Sequence, residues 1–322
     1  MRSIQTSTTF PLAAVKPLDR LMRYRAFCLE QTARLVDTST STRTHSPVTG
    51  VRLEPIGDVQ GLPYARCPDT GSVFFAPSPA WPRWRALLET VSAHRHSPEA
   101  FHTDLAQSRI DTVYAPKLDW MRDTLRIQEL LRPRLLEITT KPSALTQLLE
   151  ESGLFEQVTT VDEMTLAHEP ARLSGPPCHA ALLLESLDRV DEPDALLRHT
   201  WDRLSPGGLI FVTALVASGF DVATLGLNNL YVYPPDRTNC FTIAALERLL
   251  TRAGFTLLEV STPGVLDVEV VRAHLARDPA LSISRFERQL VEADPETREA
   301  FQAFLQDRRF SSFARYVGRK PR

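Results

Sequence analysis

LLLESLDRVDEPDALLRHTWDRLSPGGLIFVTAL, residues 182–215, is the stretch that decides the fold class. It begins and ends with apolar runs, 182–187 and 209–215, that have the length of buried strands. Between them Asp194 gives a helical pattern its polar start, and Pro-Gly-Gly at 206–208 forms a turn into the next strand. Strands that alternate with helices usually pair in parallel through right-handed crossovers. The stretch therefore predicts an α/β fold.

The same alternation continues on both sides of this stretch. Upstream, short apolar runs at 134–138 and 155–161 flank a helical leucine pattern. Downstream, a helical pattern at 242–254 leads into a strand pattern at 255–262. We therefore predict that residues 134–278 form a Rossmann-like, mostly parallel sheet with flanking helices.

The part of the chain after this domain, residues 279–322, is predicted to be a helical extension. A proline-led helical pattern has acids in its first turn and arginines in its last, as the helix dipole favours. The basic residues near the end are interpreted as a solvated tail rather than an anion-binding arm. These residues are Arg315, Arg319, Lys320 and Arg322.

The N-terminal third has a different pattern. Two similar turns, SPVTG at 46–50 and CPDTG at 67–71, alternate with short strand-like runs, so residues 46–80 are predicted to form a small β-rich module. Residues 81–133 are predicted to be a helical linker. Residues 1–45, rich in Ser, Thr and Arg, are predicted to be a flexible segment.

Composition excludes several classes of function. The 37 Lys and Arg nearly balance the 39 Asp and Glu, so no basic field favours nucleic acid. No apolar run approaches the length of a membrane span. The four cysteines are isolated in sequence, which excludes a disulfide framework and an obvious zinc site and fits a cytoplasmic protein. The expected partners are a small molecule or another protein.

Three long motifs resemble the class I methyltransferases that use S-adenosylmethionine. They are residues 182–215, YPPDRTNCFTIAALERLLTRAGFTLLEVSTPG at 233–264, and LDVEVVRAHL at 266–275. The module at 46–80 also resembles the zinc ribbon that one subgroup carries before its catalytic domain. The resemblance covers roughly 46–275 and implies a small-molecule substrate with S-adenosylmethionine as cofactor.

The resemblance also implies which residues hold the cofactor. The family places an acid at the end of the first strand, and the candidates for binding are Glu137, Thr139, Lys141, Asp162 and Glu185. Three near-alternate glycines of the family loop are replaced in TTKPS, residues 139–143, so the cofactor motif is degenerate. A left-handed backbone would cost β-branched Thr139 about 1–2 kcal/mol. A proline in the loop removes an N–H that could face the ligand.

The adenine side of the predicted pocket is short. Asp162 matches the acid that binds the ribose hydroxyls, although a surface acid after a strand is an equal interpretation. The interval from Val161 to Ala181 hardly holds the usual additional helix and strand, since these average about 11 and five residues. That half of the pocket is predicted to be trimmed.

The catalytic candidates are Asp236, Arg237 and Asn239. Arg189 and Arg237 stand where the family often carries histidine, and arginine cannot act as a base near neutral pH. The three candidates could form a polar rim that binds an anionic substrate. The alternative is a structural loop with an arginine salt bridge.

Metal binding is not predicted. Ser46, Thr49, Cys67 and Thr70 occupy the places of the ribbon's four thiolates, and hydroxyls with a single thiol are a poor ligand set for zinc. The module is predicted to be held by packing alone. The histidines at 94, 96 and 102 are interpreted as exposed residues rather than ligands.

Three functions remain open. The first is an active methyltransferase acting on a small molecule with an atypical loop. The second is a catalytically inactive, methyltransferase-like partner or regulatory subunit. The third is a protein that binds another anionic ligand in the same cleft, with Lys141 and Arg237 as contacts.

Overall fold

Three sheets organise the computed structural model, which describes residues 12, 17–37, 40–95, 97 and 106–322. The strands of the described residues are β1 Ser41–Thr42, β2 Glu54–Val59, β3 Leu62–Arg66, β4 Val73–Phe75, β5 Pro77–Ser78, β6 Arg134–Ile138, β7 Gln157–Val161, β8 Cys178–Leu184, β9 Leu204–Leu215, β10 Asn239–Cys240, β11 Thr256–Ser261 and β12 Phe313–Arg319. Of the segment predicted to be flexible, residues 1–11, 13–16 and 38–39 lie outside the described residues, and so do His96 and His102. Its described part contains a helix, Leu18–Leu35, that buries Leu21, Tyr24 and Cys28, where a flexible segment was predicted.

Helices cover both faces of the main sheet. They are α1 Leu18–Leu35, α2 Trp81–Arg95, α3 Ala106–Arg109, α4 Ala115–Ile127, α5 Ala144–Glu151, α6 Glu163–His168, α7 Pro193–Arg203, α8 Phe220–Leu225, α9 Ile243–Arg252, α10 Asp267–Arg277, α11 Arg285–Val291 and α12 Pro295–Asp307. A π-helical turn, Ile110–Tyr114, joins α3 to α4. None of the helices in the described ranges combines the length and apolar composition needed to cross a bilayer.

The main sheet has six strands in the order β11-β12-β9-β8-β6-β7. Strands β7, β6, β8 and β9 pair in parallel, so their carboxyl ends meet at one edge. Strand β12 runs antiparallel between β9 and β11. The predicted fold class, a mostly parallel α/β sheet with flanking helices, is confirmed.

The sequence explains why these elements form. Buried Leu135, Leu182 and Phe211 on adjacent strands share one hydrophobic cluster with residues of α4 and α5. Ser143 caps α5 in a capping box with Thr146, which orders the loop after β6. Only α6 and one 3-10 turn lie between β7 and β8, so the interval predicted to be short contains no further strand.

The small N-terminal sheet is joined to the main domain by a strand from the distant 226–242 loop. Its order is β10-β4-β3-β2, and β10 pairs with β4 through Asn239 and Phe74. The Tyr64 hydroxyl donates to the carbonyl of Arg237 at 2.8 Å, and the Thr242 N–H donates to the Ser72 hydroxyl at 3.0 Å. The β-rich module therefore fixes the loop that carries the catalytic candidates.

The interpretation of the chain end as a solvated tail is wrong, because residues 313–319 form an internal strand of the main sheet. Arg315 is buried there, with its guanidinium 5.1 Å from the ring centre of Trp120. The helical extension predicted for 279–322 is thus correct only for the part that contains α11 and α12. Tyr and Val at 316 and 317 favour a strand, but the arginines made this segment look like an exposed tail.

Candidate functional site

Two adjoining cavities lie at the edge where the parallel strands end. The larger has a volume of about 380 Å³ and the smaller about 140 Å³. They share four wall residues: Arg109, Val113, Lys117 and Glu185. The cleft outside the carboxyl ends of parallel strands is the usual ligand site in open α/β sheets, so these cavities form the candidate site.

The loop at 139–143 closes one side of the smaller cavity. The Thr139 N–H donates to the carbonyl of Val161 at 2.9 Å, and the Thr140 hydroxyl donates to Glu163 Oε1 at 2.6 Å. No residue of this loop has a positive φ. The loop is therefore an ordinary extended turn held by its own hydroxyls, and the strain expected for Thr139 does not arise.

Glu137 lies at the bottom of the smaller cavity and is buried at the end of β6. Burial raises the pKa of its carboxyl to about 7, against a hydrogen bond from Thr146 that lowers it, and Glu150 adds a further rise. The neutral form is thus favoured in the folded protein. Ionisation at higher pH must then destabilise the fold.

We expect Glu137→Gln to stabilise the protein above about pH 5 and to leave it unchanged at lower pH. Below the unfolded-state pKa both chains are neutral at this position, so their melting temperatures should match near about pH 4. The wild type loses stability as the pH rises from the unfolded-state pKa, about 4.5, to the folded-state pKa, about 7, by about 3 kcal/mol for a shift of this size, and the variant does not. Above about pH 7 the difference should grow no further. Thermal melts across this range measure the difference. Exposed Glu151→Gln is the matched control, and a gap that is constant with pH would contradict the assignment.

Asp162 does not face either cavity. Its carboxylate caps α6, accepting from the Thr165 N–H at 2.8 Å, and lies 3.5 Å from Arg85 Nε. The neighbouring Glu163 points inward instead and is fully buried 3.8 Å from Arg189 Nε. The acid predicted for the ribose hydroxyls is therefore used as a helix cap.

Arg237 and Glu185 form the wall of the larger cavity. Arg237 Nη2 lies 2.7 Å from Glu185 Oε2, and its Nε lies 3.6 Å from Asp188 Oδ2. Burial acts to lower the pKa of Arg237, but the two carboxylates raise it further above its ordinary value. Two acids already neutralise this guanidinium. This agrees with the alternative interpretation, a structural loop with an arginine salt bridge.

The other two catalytic candidates line neither cavity. Asp236 accepts from Tyr233 Oη at 3.1 Å and forms an ion pair with Arg95. The buried Asn239 side chain donates to the carbonyls of Leu187 and Val190, at 2.8 and 2.7 Å. Both side chains hold the loop in place. Neither contacts the cavities, so the structure offers no support for their predicted catalytic role.

Two buried carboxyls at the larger cavity were missed by sequence reasoning. Asp221 lies in the first turn of α8 and Asp267 begins α10, and both line this cavity. Their only sequence signal is an acid in a first helical turn, which normally indicates favourable interaction with the helix dipole and not a site. They come together because α8, which follows β9, and α10, which follows β11, both reach the cavity wall at Ser312.

The four residues at the expected metal positions do come together. Burial would raise the pKa of Cys67, but hydroxyls of Thr49, Thr70 and Ser46 hydrogen bond to its sulfur and lower it to about 7. No group of three or more His, Cys, Asp or Glu suited to a metal occurs in the described ranges. His94 stacks on Phe27, with ring centres 3.9 Å apart.

One family model matches part of this chain. Residues 107–260 match the model of a methyltransferase domain family. No curated protein matches the sequence. Among solved structures, the chain is similar to a 1,6-didemethyltoxoflavin-N1-methyltransferase from Burkholderia thailandensis with bound S-adenosylhomocysteine. The identity is 15%, 84% of this chain and 100% of that chain are covered, and the TM-score is 0.42.

Two further structures are similar over shorter parts of the chain. An S-adenosylmethionine-dependent methyltransferase from Mesorhizobium loti is 16% identical, covering 61% of this chain and 96% of that chain with a TM-score of 0.38. Phosphoethanolamine N-methyltransferase 2 from Haemonchus contortus is 14% identical, covering 63% and 53% with a TM-score of 0.39. These likenesses do not extend to reaction or substrate.

Proposed function

We propose that this methyltransferase-like chain binds a small molecule in the larger cavity. We further propose that the smaller cavity, at the position where the family binds the cofactor, is too small for S-adenosylmethionine. The observation that supports this most directly is the pair of volumes. Small-molecule sites usually measure about 300–1,000 Å³. The larger cavity, about 380 Å³, falls in that range, and the smaller one beside the 139–143 loop, about 140 Å³, does not.

The residues around the smaller cavity support the same conclusion. The Cβ-bearing residues at 139–143 replace the glycines that would let a ligand approach the backbone. Thr140 and Arg189 are both drawn toward buried Glu163, and Asp162 caps a helix. The adenosine half of the donor would thus lack the acid after β7, which caps a helix, and the additional strand. The residues present do not fit the group, so we derive no step through it.

Calorimetric titration with S-adenosylmethionine tests this proposal. We expect no binding heat up to about 1 mM donor, the same result with S-adenosylhomocysteine, and an unchanged melting temperature. A cooperative thermal melt of the same sample shows that the protein is folded. Saturable binding at micromolar donor would overturn the proposal.

Methyl transfer to a small molecule is the second candidate, and one observation favours it. The two cavities share the wall residues Glu185 and Lys117. If the smaller cavity widened to admit the methyl donor, the donor would lie next to a methyl acceptor bound in the larger cavity. Micromolar donor binding in the titration would make this candidate the better one.

An anionic ligand is less well supported. Of its two expected contacts, Arg237 is engaged by Glu185 and Asp188. Lys141 lines the smaller cavity but is exposed.

A further inference from the structure

The wall of the larger cavity includes a buried aspartate, one of whose carboxyl oxygens has no hydrogen-bond partner. Asp221 is only 2% exposed, and its Oδ2 accepts from Asn229 Nδ2 at 3.1 Å. Its Oδ1 is fully buried and has no hydrogen-bond partner. Buried polar atoms without a partner are rare and costly, so an oxygen of this kind on a cavity wall indicates an absent donor.

The neighbouring acid is saturated and adds negative charge. Asp267 Oδ2 accepts from Ser311 Oγ at 2.6 Å and Gln302 Nε2 at 2.8 Å, and its Oδ1 accepts from the Ser312 N–H at 2.6 Å. Burial raises the pKa of Asp221 to about 7 and the charge of Asp267 contributes to the rise, while hydrogen bonds from Ser312, Asn229 and the Val222 N–H oppose it. A positive donor beside Asp221 would relieve both the missing hydrogen bond and this repulsion.

The cations of the cavity wall do not supply that charge. No ion pair joins either acid to a Lys, Arg or His anywhere in the described ranges. Arg237 pairs with other carboxylates, and the Arg315 guanidinium lies over Trp120 and feels the charge of Glu259. Lys117 Nζ lies 5.1 Å from the Phe313 ring centre, and Arg109 lies 5.5 Å from that of Tyr114.

Much of the remaining wall of this cavity is apolar. It includes Leu215, Val265, Leu266, Val270 and Phe313. A metal ion would require more oxygen or nitrogen ligands than two carboxyls, one of them saturated. An organic cation with a hydrocarbon body needs one strong acceptor and an apolar surface, which is what this cavity offers.

We propose that the larger cavity binds a small apolar amine, whose ammonium group donates to Asp221 Oδ1 while its hydrocarbon part packs against Val270 and Phe313. This inference rests on the proposed function, since it names the class of ligand for the same cavity. The binding is an ion pair with a charge-assisted hydrogen bond inside a largely apolar site. It therefore selects strongly against a neutral ligand of the same shape.

Three probes of matched shape test the proposal: benzylamine, benzyl alcohol and benzoate. Binding is measured by ligand-observed NMR titration at about pH 8, where Asp221 is more fully ionised. We expect benzylamine to bind the wild type about tenfold or more tightly than benzyl alcohol, and benzoate most weakly. Asp221→Asn keeps an acceptor for Asn229 and should lose the preference for the amine.

The matched control is Asp111→Asn, an acid on the same cavity wall that is exposed. It should keep the wild-type preference. Equal binding of amine and alcohol, stronger binding of benzoate, an undiminished preference in a folded Asp221→Asn protein, or no binding of benzylamine would each overturn the inference. Failure of the proposed function has a different signature, micromolar binding of S-adenosylmethionine.

Discussion

A chain that ends at Ser312 should fail to fold. The deletion removes β12, which pairs with β9 over seven positions, from Phe313–Leu215 to Arg319–Leu209, and with β11 on its other side. Strands β9 and β11 are not adjacent in the sheet and would be left with a strand-wide gap. The unpaired backbone groups of both strands would lose their partners in the interior.

The size of this effect follows from the side chains that are lost. Ala314, Tyr316 and Val317 are fully buried. Removal of one large aromatic side chain from a core costs about 3–5 kcal/mol, and whole domains are stable by only about 5–15 kcal/mol. Loss of three core residues together with two hydrogen-bonded ladders therefore exceeds the stability of the fold.

Expression of residues 1–312 and a thermal melt followed by circular dichroism check this prediction. The truncated chain should be insoluble or melt without cooperativity. The control is a chain that ends at Lys320, which loses only the two exposed residues Pro321 and Arg322 and should melt like the full chain. A cooperative melt of the 1–312 protein would show that β12 is dispensable.

The main sheet could largely be predicted from the sequence, but β12 could not. Strands β6, β7, β8 and β9 have local apolar runs and turn residues, and these determine their type and parallel pairing. The sequence of β12 includes arginines, and arginines predict a solvent-exposed segment unless their partners in the fold are known. Its place depends on Trp120, distant in sequence, whose ring lies beneath Arg315. Gly318 has a similar long-range reason, because a Cβ there would lie 2.9 Å from Ile210 Cγ2.

The candidate site was predictable to the same extent. Glu137, Thr139, Lys141 and Glu185 lie at or just after the carboxyl ends of parallel strands, and all four line the predicted cleft. Asp162 was assigned to the ribose, although Asp followed three residues later by Thr165 at a helix start is also a capping pattern.

The missed acids have a common cause. Asp221 and Asp267 follow different strands, β9 and β11, and both contact Ser312, the residue that precedes β12 between those strands. A sequence pattern does not show this convergence, since it depends on the pairing of the last strand.

Arg237→Ala should cost about 3–5 kcal/mol of unfolding free energy, because it leaves a buried charge without its partner. Asp188 is fully buried, and its Oδ2 accepts from the Leu215 N–H at 3.0 Å while facing Arg237 Nε. Burial raises the pKa of Asp188, and the Arg237 charge opposes that rise. Without the guanidinium, Asp188 must either stay charged in an apolar environment or bind a proton.

Urea unfolding of a small set of variants separates the stranded charge from the lost packing. The double variant Arg237→Ala with Asp188→Asn removes both charges and should recover part of the lost unfolding free energy. If Arg237→Ala acted only through lost packing, the double variant would be no more stable than the single one. Arg126→Ala breaks an ion pair with Asp123 in which the arginine side chain is 77% exposed, and should change stability by under about 1 kcal/mol. A loss for Arg237→Ala as small as this control's would mean that Asp188 and Glu185 do not need Arg237. The loop that carries it would then be held by Asp236, Asn239 and the β-rich module.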